Sequence, residues 1–256
     1  MRGREFLGLD KNGEVNDNIN YEDYENFSFS DSDDEQSDSG SDAPKFYQEI
    51  IRVAPSMRPK VVNIVEIARF NTQIDLEDVA IHARNSEYNP HRFKALILRI
   101  QEPKATALIF GKGSMNIIGT KTTADANLAM RKFAKSLQIL KYPKLKITED
   151  YVANMVATCS AGFQIDLSAF SRSPQFRDLC VYNTELFSGM TFKIILSNEK
   201  KMTLLIFRSG KIVLTGGKSM DDLHEAVSLV FPFLIQFQQQ PPPLMAQTSP
   251  EQPNPN

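Results

Sequence analysis

Apolar positions cluster in two short runs through Thr203–Lys218, TLLIFRSGKIVLTGGK, with a polar break between them. The pattern predicts a β-hairpin that turns at Ser209-Gly210 and stops at Gly216-Gly217. The same pattern occurs earlier as Thr106–Lys121, TALIFGKGSMNIIGTK. The two stretches align without a gap at an offset of 97 residues, with seven of sixteen positions identical. Asn63-Ile64-Val65 recurs as Asn154-Met155-Val156, and Ile74-Asp75-Leu76 as Ile165-Asp166-Leu167, both 91 residues on; Phe93 recurs as Phe187, 94 residues on. Residues 58–238 therefore read as one unit of roughly 90 residues written twice, 58–148 and 149–238.

Each copy predicts the same order of elements. In the first, Val61–Ala68 is a strand, and Asp75 caps a helix over about 76–85 with Asp78 at its third position. Asn89-Pro90 breaks the chain, Phe93–Ile100 is a strand, Glu102-Pro103 a turn, and Thr106–Phe110 and Met115–Ile118 are strands. A long helix, about 124–140, places Leu128, Phe133, Leu137 and Leu140 on one face and Arg131, Lys132 and Lys135 opposite. The second copy gives strand Tyr151–Thr158, a short helix from Leu167, a strand within Phe187–Leu196, the hairpin, and a helix from Met220 to Phe237.

Side chains alternate across a strand. Phe93, Ala95, Ile97 and Arg99 thus share a face, as do Leu108, Phe110 and Lys112; Leu205 and Phe207; and Lys211, Val213 and Thr215. The opposite faces are also apolar: Leu96, Leu98, Ala107, Ile109, Leu204, Ile206, Ile212, Leu214. The helices can cover one face, and nothing else long enough remains for the other. That second face is apolar with a Lys and Arg rim. Two partners fit it: another protein surface, including a second copy of the chain, or the minor groove of DNA. The groove has an acceptor-lined floor with little charge, between phosphates.

Charge sharpens this only in part. Net charge is −2, but residues 1–50 carry 14 Asp/Glu against 4 Lys/Arg, and residues 51–256 carry 17 against 25. An acidic tail on a basic body points to an anionic partner or simply to a solvated surface. Ser28–Asp42, SFSDSDDEQSDSGSD, cannot bury enough apolar area to fold, so residues 1–50 are expected to be disordered. The tail reads as solubilising, as a mimic of nucleic-acid charge, or as a phosphorylation target at Ser30, Ser32 and Ser37. Residues 239–256, rich in Gln and Pro, are expected to be disordered too. Cys159 and Cys180 lack metal-site spacing and read as reduced core residues. No signal region and no membrane-length apolar run occur, and Pro232 interrupts the longest, Leu229–Ile235; an intracellular, soluble protein is expected. There is no phosphate-binding Gly loop, metal-ligand spacing or catalytic triad, so neither an enzyme nor a cofactor is expected.

Several runs resemble the TATA-box-binding proteins: Ala83–Phe93 (ARNSEYNPHRF), Leu98–Pro103 (LRIQEP), Thr106–Phe110, Arg131–Ala134, Glu185–Phe187 and Phe207–Lys218. The resemblance spans both repeats, about 58–238, and implies an α+β saddle. Two similar halves would form a curved ten-stranded antiparallel sheet, with four helices on its convex side and DNA on its concave side. It further implies intercalation by the pairs Phe93 with Phe110 and Phe187 with Phe207, and central hydrogen bonds from Asn63 and Asn154. Val65, Val156, Leu108, Leu205 and Val213 would contact the groove floor, Thr215 a base, and Arg92, Arg99, Lys193 and Lys211 phosphates. Asn116 and Ile118 stand where the family has Val and Thr. Either Asn116 accepts a guanine amino group, or the first half is merely weakened. Glu185 and Leu186 match the surface the family uses for transcription factor B; Arg131, Lys132 and Lys135 match the helix used for transcription factor A.

The resemblance thus implies a transcription initiation factor that binds and bends TATA-like promoter DNA, in the nucleus or at a site of viral transcription. The alternative is an interaction module of the same fold with weak or altered DNA specificity, or a weak homodimer when DNA is absent.

Overall fold

The computed structural model describes residues 45–239. The Ser/Asp-rich run and the Gln/Pro-rich end from residue 240 lie outside the described residues. Ten strands form a single antiparallel, curved and unclosed sheet. In chain order the strands are β1 (Lys60–Phe70), β2 (Ser86–Glu87), β3 (Leu96–Ile100), β4 (Ala105–Phe110), β5 (Ser114–Thr120), β6 (Ile147–Ser160), β7 (Cys180–Val181), β8 (Met190–Ile195), β9 (Lys201–Ile206) and β10 (Lys211–Gly217). Across the sheet they run β2-β3-β4-β5-β1-β6-β10-β9-β8-β7, which reads the same from either end once the repeat is allowed for. The two copies meet where β1 pairs with β6, and the seam lies between the long helix of the first copy and Ile147.

Five helices accompany the sheet: α1 (Lys45–Val53), α2 (Leu76–His82), α3 (Thr123–Leu140), α4 (Leu167–Arg172) and α5 (Met220–Gln236). Each helix of the repeats starts on a side-chain cap. Asp75 accepts from the Asp78 N–H at 3.1 Å, and its repeat mate Asp166 from Ala169 at 2.9 Å. Thr122 accepts from Asp125 at 3.0 Å, and its mate Ser219 from Asp222 at 3.2 Å. Capping of this kind satisfies an N–H that the first turn leaves unpaired.

The helices cover one face. Over the first half, Leu96, Leu98, Ala107, Ile109 and Ile117 pack under Phe133 and Leu137 of α3. Over the second, Leu204, Ile206, Ile212 and Leu214 pack under Leu223, Val227 and Val230 of α5. The residues of opposite parity form two smaller clusters on the other face, which no helix covers.

Three features differ from the sequence expectations. First, among the described residues a fifth helix, Lys45–Val53, precedes the four expected in the repeats, although residues 1–50 were expected to be disordered. Its Tyr47, Ile50 and Ile51 are buried against α5, and the Tyr47 ring stacks on His224 with centroids 4.1 Å apart. Second, α2 stops at His82 instead of residue 85, since Ala83 already takes extended backbone, φ −84° and ψ 129°. Third, Phe93 precedes β3 instead of opening it; its N–H is held in a turn by the Asn89 carbonyl at 2.9 Å. The strand parity nevertheless survives, with Phe93 joining Ala95, Ile97 and Leu108. Cys159 and Cys180 are free thiols, and burial pushes both up, Cys159 to about 12.

Candidate nucleic-acid interface

The uncovered face holds two apolar patches related by the repeat. One gathers Val65, Ala95, Leu108, Ile118 and Ala153, with Ile67, Ile97, Phe93 and Phe110 against them. The other gathers Val156, Leu205 and Val213, with Val62, Phe187 and Phe207. In each patch the two phenylalanine rings meet edge to face. Phe93 and Phe110 have centroids 6.5 Å apart at 75°, and Phe187 and Phe207 5.7 Å apart at 70°. All four rings are only half-buried, while Leu108 and Leu205 are buried. Gly189 leaves room for the second pair: a Cβ there would stand 2.7 Å from Phe187 and 3.0 Å from Phe207. The equivalent residue in the first half is Ala95.

Between the patches lie the two asparagines, across the β1–β6 seam. Asn63 opposes Val156, and Asn154 opposes Val65. Each amide is fixed in the same way. Asn63 Oδ1 accepts from the Gly119 N–H at 2.8 Å, and Asn154 Oδ1 accepts from the Gly216 N–H at 2.8 Å. Both glycines hold a positive φ, 95° and 96°, which turns the N–H toward the amide. Because the oxygens are taken, each amide presents its NH₂ group as a donor. In the second half Asn154 Nδ2 also donates to Thr215 Oγ1 at 3.2 Å.

A trough that touches both halves takes in Ile67, Phe110, Asn116, Ala153, Asn154 and Thr215 of this face. Lys94, Lys112, Lys193, Lys201 and Lys218 are among its lining residues, and none of those residues is Asp or Glu. Such a rim favours a polyanion. Lys193 is exposed and shares its parity with Ile195, and Lys211 shares its parity with Val213. Arg92 is exposed beside Phe93. Arg99 is exposed but held by Glu87 at 3.3 Å.

Of the residues expected to bind partners, Leu186 is 74% exposed in the loop before Phe187, and Glu185 is exposed beside it. Arg131, Lys132 and Lys135 lie exposed on α3, where Lys132 Nζ donates to the Glu102 carbonyl. Asn116 and Ile118 are both buried on the uncovered face. Sequence reasoning missed Ile67, Ala153 and Val62 of the floor. The alternation of β1 and β6 carried that signal, but bulges in their pairing shift it. Gly216 was read as a strand stop only and Gly119 was not singled out, whereas each also orients an amide.

The architecture defines a class, a two-repeat protein whose open antiparallel face is floored by apolar side chains and rimmed by cations. The family described as transcription factor TFIID, or TATA-binding protein (TBP), matches residues 58–140 and 150–237, and the chain belongs to that family. It is 40% identical over 179 residues to a TATA-box-binding protein of Acetabularia peniculus, covering 70% of this chain and 91% of the relative. It is 41% identical over 179 residues to one of Schizosaccharomyces pombe, covering 70% and 75%. The solved structure of Methanococcus jannaschii TBP is 31% identical, with a TM-score of 0.60, and covers 70% of this chain and 99% of that one.

Proposed function

We propose that the chain is a transcription initiation factor that binds TATA-like promoter DNA through the minor groove, bends it, and so nucleates assembly of an initiation complex. The carrying observation is the pair of asparagine amides, each with its oxygen fixed by a glycine N–H so that its NH₂ group is the donor end, which in Asn154 also reaches Thr215 Oγ1. The floor of an A·T-rich minor groove offers only acceptors, so two amide donors between apolar patches would complement it. Val65, Val156, Leu108, Leu205, Val213 and Thr215 would line that floor. Arg92, Arg99, Lys193 and Lys211 would meet the phosphates on either side. The two phenylalanine pairs, Phe93 with Phe110 and Phe187 with Phe207, would lift from their edge-to-face packing and wedge between base steps. Minor-groove kinking by this family is itself a standard illustration of that mechanism.

Glu185 and Leu186 would then dock a transcription factor B-like protein, with the 74% exposure of Leu186 in support. The basic face of α3, with Arg131, Lys132 and Lys135, would take a factor A-like protein. Without DNA, the uncovered face is suited to a weak homodimer. The compartment is the one where the promoter is transcribed, the nucleus or a viral transcription site.

The test is energy transfer across a TATA duplex labelled at both ends, at two salt concentrations, with a scrambled duplex as comparison. Wild type should bind the TATA duplex tightly and shorten its end-to-end distance. The double variant Phe187→Ala, Phe207→Ala should lose the bend. Weak, unbent binding that is equal on both duplexes would leave only electrostatics and refute the proposal.

A further inference from the structure

The two halves of the floor are built alike but read differently. Asn116 and Val213 occupy the same place, 97 residues apart. On one side Asn116 opposes Leu108 as Val213 opposes Leu205; on the other, Asn116 opposes Ile67 as Val213 opposes Thr158. Asn116 is 3% exposed and Val213 5%, so the amide is set into the floor and not at its rim. Two residues on, Ile118 replaces Thr215. The hydrogen bond that Thr215 Oγ1 accepts from Asn154 therefore has no counterpart at Asn63.

We infer that Asn116 determines specificity: it lets the first half accept a G·C pair where the second half demands A·T, and so orients the protein on its site. This rests on the minor-groove reading above. In that groove A·T and T·A present only acceptors, and G·C adds one donor, the guanine N2 amino group. Val213 offers that amino group only methyls, which would leave a donor desolvated and unpaired. Asn116 carries both an acceptor and donors at the same point. Its Oδ1 accepts from guanine N2, and its NH₂ serves the adenine N3 or thymine O2 acceptors. The first half is thus permissive and the second strict. On a site with one G·C pair toward one end, the favoured orientation sets the first half over that end.

The experiment uses the full chain, wild type and Asn116→Val. Valine is already the residue at the equivalent floor position, so the fold should tolerate it. Three duplexes are compared by fluorescence anisotropy: A·T-only, one with a single G·C pair off centre, and the same with inosine for guanine, which lacks the N2 amino group. Orientation is read by energy transfer from a dye on Gln101→Cys, an exposed turn position, to one duplex end.

Wild type should bind the G·C duplex nearly as tightly as the A·T duplex and in one orientation. Asn116→Val should lose roughly 5- to 30-fold more on G·C than on A·T, the range set by one unpaired buried donor. It should recover on inosine and bind in both orientations. Equal binding of the G·C duplex by the two proteins, or a loss that persists on inosine, overturns the inference while A·T binding leaves the parent reading intact. Failure of wild type on the A·T duplex overturns both.

Discussion

The carboxylate of Asp222 ties the turn between β8 and β9 to the start of α5. It accepts from Lys200 Nζ at 2.9 Å on both oxygens, from Asn198 Nδ2 at 3.1 Å and from the Lys218 N–H at 2.8 Å. Burial alone would push this carboxyl up, but the bonds from Lys200, Lys218 and Asn198 hold it below the usual carboxylate range. Asp222→Ala leaves these donors to find water. Lys200 is 37% exposed and is readily resolvated, so its share is small. The Ser219 cap of α5 is kept, so the lost hydrogen bonds from the Lys218 N–H and Asn198, with the smaller share of Lys200, set the cost at about 2–3 kcal/mol. For a folded body of this size that is a drop in Tm of roughly 5–10 °C.

The pH dependence follows from the sign of the shift. A carboxyl with a depressed folded-state pKa stabilises the fold above its unfolded value, here 3.8, and that contribution disappears as pH falls through the folded value. Urea titrations at pH 7 and across pH 2–5 should show a lower midpoint for Asp222→Ala at neutral pH and a shallower acid limb than wild type. A midpoint change worth less than about 0.5 kcal/mol, the size of an ordinary surface substitution, would refute the reasoning. So would an acid limb identical to that of wild type.

Glu66 should behave in the opposite sense. Burial, with the Asp150 charge second, pushes its carboxyl up, and its Oε2 makes no hydrogen bond, so its ionisation costs stability as pH rises through the folded pKa. Glu66→Gln should therefore gain about 1 kcal/mol at pH 7, read by urea denaturation, and flatten the limb that falls as pH rises above 4.5. Tyr47→Ala should cost about 3 kcal/mol by removing a 2%-exposed ring from the α1–α5 contact, a thermal shift that a free-standing tail would not show. Gly216→Ala places a Cβ 2.9 Å from the Lys201 carbonyl oxygen at a φ of 96° and misdirects the N–H that holds Asn154. Binding of A·T DNA by anisotropy should fall roughly 5- to 30-fold, the equivalent of 1–2 kcal/mol of backbone strain and lost amide orientation. Gly119→Ala meets nothing closer than 3.8 Å and should lose less.

The fold was legible because the repeat doubles every signal. The runs Ile74-Asp75-Leu76 and Ile165-Asp166-Leu167 and the two hairpins each mark the same boundary twice, so a reading from one copy is checked by the other. Strand parity alone placed Leu108 with Phe110 and Leu205 with Phe207 on the uncovered face, where the structure has them. One element that escaped had no second copy. The spacing of Tyr47, Ile50 and Ile51 is that of an amphipathic helix, but α1 occurs once and adjoins an acidic run whose composition argued against any core. The early stop of α2 escaped because it lies in the extended backbone of Ala83, which apolar periodicity does not report. The amide–glycine bonds escaped because they join residues 56 and 62 apart in sequence, a contact that only the closed sheet creates.

The differences between the copies are not spread evenly. The elements that hold the sheet together are matched across the repeat: four helix caps, two amide–glycine bonds and two phenylalanine pairs. The differences on the uncovered face fall where a ligand would touch. On the floor, Asn116 and Ile118 face Val213 and Thr215. On the flank, the Arg99–Glu87 ion pair of the first half becomes Lys193 beside Val181 in the second, with Val181 67% and Ile195 63% exposed. Arg99 would have to release a carboxylate before it could meet a phosphate, while Lys193 makes no ion pair among the described residues. A symmetric scaffold needs no such asymmetry to fold, since either flank is solvent-exposed and either floor packs on the same strands. It matters only to a ligand whose two ends differ, and an asymmetric promoter site is such a ligand.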